Sequence, residues 1–378
     1  MKILIVGGGI AGLTLASYLQ HQKQWQVTLI EKSKKWQDIG FNIALWASGT
    51  EILAQLGLLE KFKEKSLPMN FSDLYDHTGK LISRISFNSV GTFGLNASIS
   101  RSDLHKILIN SLKEVEVRFN TQVQDLKIGR NNVQVLTNQR REEIFDLVVA
   151  GDGVNSATRL LVNQANAKKS YHWYLIAFWL PAGMAPSNLT HIDGESFMAF
   201  IIPAKERAAM GIIKKVASDF SAPKNITAGW LKDFTSGMGP FVEKAASSLA
   251  DFSTIYQDSL KYAKVGKWNN QRVVYIGDSQ HGVSPISGLG ASLALEDGFV
   301  LGEELGKIGE AKYIDSAINN FVTRRERKLK YARKFIKVTE NYFMRVQSPQ
   351  IRILRNKIIQ LFPTLGLTYL KNYLKESL

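Results

Sequence analysis

The strongest constraint on this chain lies in its first thirty-one residues. Residues 2–6 form a continuous apolar strand, as the buried centre of a parallel sheet requires. Gly7-Gly8-Gly9-Ile10-Ala11-Gly12 follows, and Leu13 to Leu19 then has helical spacing. A second strand, Val27-Thr28-Leu29-Ile30, ends at Glu31, 19 residues after Gly12. Gly7 permits the tight turn, Gly9 admits a pyrophosphate to the backbone, and Gly12 lets the helix pack close to the strand. The bare N–H groups of Ile10 and Ala11 at the helix start attract that pyrophosphate. Glu31 can accept from both hydroxyls of an adenosine ribose, and its charge repels a 2′-phosphate. Strand, helix, second strand and acidic terminus in register point to FAD or NAD rather than NADP.

The 378 residues suffice for two domains, and 45% hydrophobic with 21% charged residues describes a globular chain. Zero cysteines exclude disulfides, iron–sulfur clusters, cysteine nucleophiles and a cysteinyl-linked cofactor. The histidines show no metal-ligand pairing, so no metal is expected. With no leader-like segment at the start and no apolar run near the roughly 18 residues that span a bilayer, a cytoplasmic protein is expected. The net charge is 48 − 33 = +15, and residues 321–378 hold 14 Lys/Arg against 3 Asp/Glu. Terminal helices with a solvated face account for this excess. No RNA-binding aromatic signature accompanies it, so nucleic acid is not an expected partner.

Further segments share the look of a cofactor site. Ser48-Gly49-Thr50-Glu51 has the spacing of a capping box opening a helix that stops near Gly57. Arg101 stands at the entrance of an amphipathic helix through Leu112, where it could serve phosphate or ribityl oxygens or simply the surface. The strand Asp146 to Ala150 ends in Gly151-Asp152-Gly153, a sharp turn, with Arg159 just beyond. A last strand, Arg272 to Ile276, ends at Gly277-Asp278, and a loop with His281, Pro285, Gly288 and Gly290 leads into a helix near Ala291. Asp278 at a strand's C-terminal end points into the crevice where open parallel sheets bind ligands. The glycines bare N–H groups at a helix N-terminus, which suits the negative charge of a reduced flavin.

Together, GGGIAG, RSDLHKIL, DLVVAGDGVNSATR and RVVYIGDSQHGVSPISGLGASLALED resemble the single-component (class A) FAD-dependent monooxygenases, a para-hydroxybenzoate hydroxylase-like family. That family includes salicylate hydroxylases and the tetracycline-inactivating monooxygenases. The resemblance covers most of the chain in the family's order. It implies Glu31 at the adenosine ribose with Lys32 beside it, and Arg101 at the ribityl–phosphate region. Asp278 would hold the ribityl chain, and Gly288, Gly290 and Ala291 the pyrimidine edge. Asp152 and Arg159 would belong to a shared FAD and NAD(P)H motif. Lys32, Ser279-Gln280 and Ala291-Ser292 depart from the family's usual residues without arguing against FAD.

The expected fold is α/β: a discontinuous Rossmann-like FAD-binding domain (1–66, 97–165 and 262–320), an inserted β-sheet substrate domain (67–96 and 166–261), and basic C-terminal helices (321–378). A monomer or homodimer is expected. The family's cycle would use NAD(P)H and O2 to hydroxylate an aromatic or polycyclic small molecule through a flavin hydroperoxide. Pro285 and Ile286 would face the substrate from the loop, with Met198 and Phe200 facing it from the sheet; core packing is the equal alternative for the last two. No catalytic acid or base is assigned, and His281 reads as a packing residue under the loop. Two other functions remain open. One is a hydroxylase of polyprenyl aromatics with peripheral membrane contact through the basic tail; the other is a non-catalytic flavin-binding sensor.

Overall fold

The computed structural model describes residues 1–37, 40–90, 94–162, 167–264, 266–345 and 348–376. Its first layer is a six-stranded sheet in the order Asn269–Asn270, Val273–Tyr275, Leu147–Ala150, Lys2–Val6, Gln26–Ile30, Glu116–Arg118. All neighbours are parallel except the short edge pair Asn269–Asn270 with Val273–Tyr275. Strand side chains alternate between faces, and this divides the core. Ile3, Ile5, Val27, Leu29, Val149 and Val274 pack against helices, among them Ile10–Leu19 and Gly290–Gly306. Leu4, Val6, Ile30, Val148 and Val273 pack instead against a three-stranded antiparallel sheet formed by Val123–Ile128, Val133–Thr137 and Glu142–Phe145. With both faces covered, the strands are apolar throughout.

A seven-stranded sheet forms the second layer, in the order Tyr256–Lys264, Ala167–Trp179, Ala209–Lys215, Phe197–Ile202, Leu189–Asp193, Phe71–Asp76, Leu81–Ser86. Its last strand in sequence runs to Lys264, past the expected boundary at 262, and the boundary at 165/166 lies outside the described residues. Ile176, Phe178, Phe197, Ala199, Ile201 and Ile212 point to one face, where helices Ala228–Thr235 and Pro240–Ser247 cover them. On the other face Trp173, Met198, Phe200 and Ile213 pack toward Ile286 of the first layer's loop. The period-two pattern thus aims one set of side chains at the loop that follows the last strand of the parallel sheet.

The C-terminal segment runs through a long helix, Ile314–Glu340, a π-helical turn, Asn341–Arg345, and helices Pro349–Leu361 and Thr368–Lys375. Pro363 follows the third of these elements by two residues, and the chain cannot continue the helix through it. The long helix packs on Gly290–Gly306 through Ile318, Phe321, Leu329 and Ala332. Among the described residues no helix is long and apolar enough to cross a membrane.

Candidate active site

A crevice of about 380 Å3 opens where the parallel strands end, lined by Gly7–Gly9, Glu31, Lys32, Trp36, Arg101, His105, Asp152, Gly153 and Thr158. The glycine turn is forced by contact. Gly7 has φ +101°, and a Cβ there would stand 2.7 Å from the Gly151 carbonyl oxygen. At Gly12 a Cβ would stand 2.2 Å from the Gly7 carbonyl oxygen, so the helix can sit this close to the turn only with glycine. At Gly9, by contrast, the added atom would reach nothing nearer than 3.8 Å, which leaves that side of the backbone open. The helix Ile10–Leu19 starts at Gly9 with no side-chain cap and no acidic residue in its first turn, so its positive end faces the crevice uncompensated. Ile10 and Ala11 supply that turn's backbone, while Gly12 lies behind it.

Glu31 closes the far end of the turn. Its Oε2 accepts the Gly8 amide at 3.0 Å and its Oε1 the Ser33 amide at 2.9 Å, which fixes the carboxylate and leaves further lone pairs for hydroxyl donors. Two neighbours escaped the sequence reading. His105 Nε2 lies 2.7 Å from the Gly8 carbonyl, and the Trp36 ring stands so near Gly8 that a Cβ there would fall 2.4 Å from it. Neither residue type carries a nucleotide signature alone; only the helix phase of His105, after Arg101, hinted at it.

Asp152 accepts from the Thr158 amide and hydroxyl at 3.0 and 2.9 Å through Oδ2, while its buried Oδ1 has no hydrogen-bond partner among the described residues. Arg159 is placed differently from a ligand contact. It is fully buried beneath the crevice and donates to the carbonyls of Val154, at 2.8 Å, and Ser279. It ties the turn after one parallel strand to the loop after another.

That second loop starts at Gly277, φ +60°, followed by the helical turn Asp278–His281 and the turn Pro285–Ser287. The Asp278 side chain is surface-exposed yet surrounded by protein mass. Burial raises its pKa, opposed by the charges of His281 and Arg101. Arg101 itself lies on Gly40, where a Cβ would come within 2.7 Å of the arginine's Cδ. His281 faces away from the crevice: its Nε2 is 2.6 Å from Asp297 Oδ2 in the interior. Burial alone would lower the imidazole's pKa, but the Asp297 charge and hydrogen bond outweigh it and raise the value. Asp297 also accepts from Arg325 at 2.6 Å, Arg325 donates to Glu296 at 2.7 Å, and Tyr373 donates to Glu296 at 2.5 Å. This buried network braces the loop from behind.

The network also overturns the capping-box expectation. The helix is Ala47–Gln55 with Trp46 at its N-cap and no side-chain cap; Ser48 sits within the first turn, its hydroxyl 3.1 Å from Tyr373 Oη. A partner distant in sequence has claimed the hydroxyl. Trp46 donates its indole N–H to the Gly288 carbonyl at 3.1 Å and thereby holds the turn before the helix Gly290–Gly306. Gly290 and Ala291 lie in that helix's first turn, whose amides have no partner within the helix and which no side chain caps.

On its other side the Pro285–Gly288 turn walls an apolar cavity of about 180 Å3. Phe200 and Ile202 face the turn from the seven-stranded sheet, and Trp46, Phe87, Phe335 and Phe343 add aromatic walls. Of the four side chains expected around a substrate, Phe200, Pro285 and Ile286 line this cavity. Met198, 1% exposed, packs behind it with Trp173 and Ile286. His191 was missed because it sits in a strand with no motif around it. It lines the cavity, accepts or donates at Nδ1 with the Ser72 hydroxyl at 3.3 Å, and stacks near Phe343. Burial pushes its pKa down to about 4, so the ring is neutral near pH 7. A third cleft, about 1000 Å3, is lined by Lys65, Lys106, Trp179, Lys205 and Arg207, with the Arg207 guanidinium 3.7 Å over the Trp179 ring. Among the described residues no acidic or histidine cluster could hold a metal ion.

The site fits a flavin dinucleotide: glycines open to a pyrophosphate, an anchored acidic residue for ribose, an orphan carboxylate oxygen, and a second uncapped helix start beside an aromatic cavity. Comparison with known proteins agrees. The FAD binding domain family matches residues 1–330. A flavin-dependent monooxygenase from an unknown prokaryotic organism is 26% identical over 80% of this chain and 81% of its own. A 2-heptyl-3-hydroxy-4(1H)-quinolone synthase of Pseudomonas aeruginosa is 25% identical over 96% of this chain and 94% of its own. Among solved structures, Klebsiella pneumoniae HpxO complexed with FAD and uric acid superposes with TM-score 0.85 at 19% identity, covering 98% of this chain and 97% of that one. Tetracycline destructase Tet(51) gives TM-score 0.76 at 22% identity, covering 100% and 98%. FAD is the family's cofactor and NAD(P)H its typical reductant, and with enzymes as relatives the sensor reading falls away. The chain belongs to the FAD-binding-domain family of class A, para-hydroxybenzoate hydroxylase-like monooxygenases.

Proposed function

We propose that this protein hydroxylates an apolar aromatic compound of one or two rings, consuming NAD(P)H and O2 in the cytoplasm. The observation that carries the reading is the Pro285–Gly288 turn, which walls the aromatic cavity and runs on into the uncapped helix start at Gly290. In the balanced reaction, one oxygen atom of O2 enters a C–H bond of the substrate and the other leaves as water. NAD(P)H supplies the two electrons as a hydride, and a proton from solvent completes the water. Bound FAD provides the oxygen-activating redox chemistry.

The chain's own groups have narrower tasks. Glu31, Asp152, Arg101 and Asp278 would fix the cofactor along its length, with Lys32 at the exposed edge. The amides of Gly290 and Ala291 would stabilise negative charge at the reduced ring. Phe200, Pro285 and Ile286 would clamp a planar substrate and exclude water, and the neutral His191 imidazole would orient its polar substituent by a hydrogen bond. The cavity's size favours small rings over a tetracyclic compound. The quinolone and uric acid named for relatives are of that scale. The basic cleft beside the helix Arg101–Ile109 suits the phosphates of the reductant.

The test is a panel of one- and two-ring aromatics given to purified flavin-loaded protein, following NAD(P)H oxidation and product mass. A stimulated rate with a product heavier by one oxygen supports the reading; stimulation by tetracyclic compounds alone would count against the small-ring assignment.

A further inference from the structure

The helix Pro349–Leu361 is mounted the wrong way round for a water-facing element. A surface helix ordinarily buries its apolar stripe and shows its charges to solvent. Here Arg355 is buried and donates to the buried Asp193 carboxylate, and Arg352, with only 11% of its side chain exposed, donates to the same carboxylate at 3.0 Å. Arg355 also donates to the Tyr342 carbonyl at 2.6 Å. Turned away from these arginines, Ile353, Leu354 and Leu361 are exposed by 59–73%, and Ile351, Ile358 and Phe362 flank them at 37–61%. The spacing 351, 354, 358, 361 makes this one continuous stripe.

Exposed isoleucine and leucine at this density call for an apolar cover. The cation balance indicates which. Residues 321–378 carry 14 − 3 = +11, of which Arg324, Arg325, Lys328, Arg352 and Arg355 are spent on carboxylates outside the segment, while Lys330, Lys334, Lys337, Lys357 and Lys375 remain exposed on the C-terminal helices. A symmetric dimer through this face would set these lysines against their own copies. An anionic lipid surface would instead satisfy both the lysines and the apolar stripe. The helix is also a cavity wall: Ile358, Ile359 and Phe362 line the aromatic cavity.

We propose that the helix Pro349–Leu361 docks this protein on an anionic lipid surface, so that the aromatic cavity behind it takes its substrate from the hydrocarbon phase. The second half rests on the assignment of that cavity as the substrate site; the docking does not. The test is co-sedimentation of full-length flavin-loaded protein with vesicles of phosphatidylcholine alone or with phosphatidylglycerol at three parts in ten. A triple variant Ile351→Glu, Leu354→Glu, Leu361→Glu, at exposed positions outside the cavity lining, is run in parallel. The expected result is binding to the anionic vesicles that weakens with salt, at least tenfold weaker binding to phosphatidylcholine, and at least tenfold loss in the variant with flavin retained. Equal binding by variant and wild type, no binding to anionic vesicles, or a wild-type dimer that the variant dissociates would overturn the docking. Failure of every aromatic to stimulate NAD(P)H oxidation, with vesicle binding intact, would count against the cavity assignment and leave the docking standing.

Discussion

His281 and Asp297, sixteen residues apart, meet in the interior through a 2.6 Å contact between Nε2 and Oδ2, and the same oxygen accepts the Gly277 amide at 2.7 Å. The pair therefore holds the first residue of the cofactor loop by its backbone. Asp297→Asn should destabilise the fold by about 3 kcal/mol or more, because Arg325 would be left buried with one partner fewer. The pH dependence has two limbs. His281 has a raised pKa, so its share is full below the ordinary 6.5 and is lost as pH rises through the folded value. Burial opposes the Asp297 charge, but His281 and Arg325 win and lower its pKa. Its share is therefore full above the ordinary 3.8 and is lost as pH falls through the folded value. Melting temperatures of wild type and variant should differ most between pH 3.8 and 6.5, converge as pH falls through the folded Asp297 value, and narrow only in part as pH rises through that of His281, because the Arg325 pairing persists.

Asp278 trades stability for ligand. Its raised pKa means that the folded apoprotein holds the proton more tightly than the unfolded chain. Stability from this group is full below 3.8 and lost as pH rises through the folded value. Asp278→Asn apoprotein should consequently melt higher than wild type at pH 7.5, with the gap closing toward pH 4. The same change should weaken FAD binding about tenfold or more, the scale of one charge-assisted hydrogen bond. Scanning calorimetry of the apoprotein and flavin-fluorescence titration check the two halves separately.

The neutral His191 imidazole predicts a flat stretch in the pH profile. With a folded pKa of about 4, it should contribute no step to kcat/KM between pH 6 and 8. His191→Phe should lower kcat/KM about tenfold for aromatics bearing a hydroxyl or carbonyl and little for bare hydrocarbons, since only the former lose a hydrogen bond. Steady-state assays on matched substrate pairs decide it.

In the basic cleft, Arg207→Ala should raise KM for NAD(P)H about tenfold while FAD affinity stays unchanged, because Arg207 lines that cleft and not the glycine crevice. A fall in flavin occupancy instead would show that the guanidinium supports the first layer.

What the sequence disclosed follows from the range of the forces involved. The crevice was readable because Gly12 and Glu31 meet Gly7 and Gly8 within one strand–helix–strand unit, although Gly7 is also held by Gly151 from a distant turn. Met198 and Phe200 could be put on one face by their spacing, but how deep each lies depends on the loop carrying Ile286. Ser48 was misread because Tyr373, more than three hundred residues away, takes the hydroxyl that local spacing offered as a cap. Arg159 was expected at the cofactor and His191 drew no expectation for the same reason: their partners, Ser279 and Ser72, come from other segments. The tail's periodicity shows an apolar stripe, yet only Asp193 reveals that the arginine side faces inward.

The central claim, that this chain oxygenates a ring held in the aromatic cavity walled by Pro285–Gly288, is tested most directly by isotope labelling. Flavin-loaded protein, NAD(P)H and an accepted aromatic are incubated under 18O2, and the product is weighed by mass spectrometry. The account predicts a product carrying one 18O atom, with no label taken from H218O in the reverse experiment. Unlabelled product, or oxygen drawn from water, would contradict it.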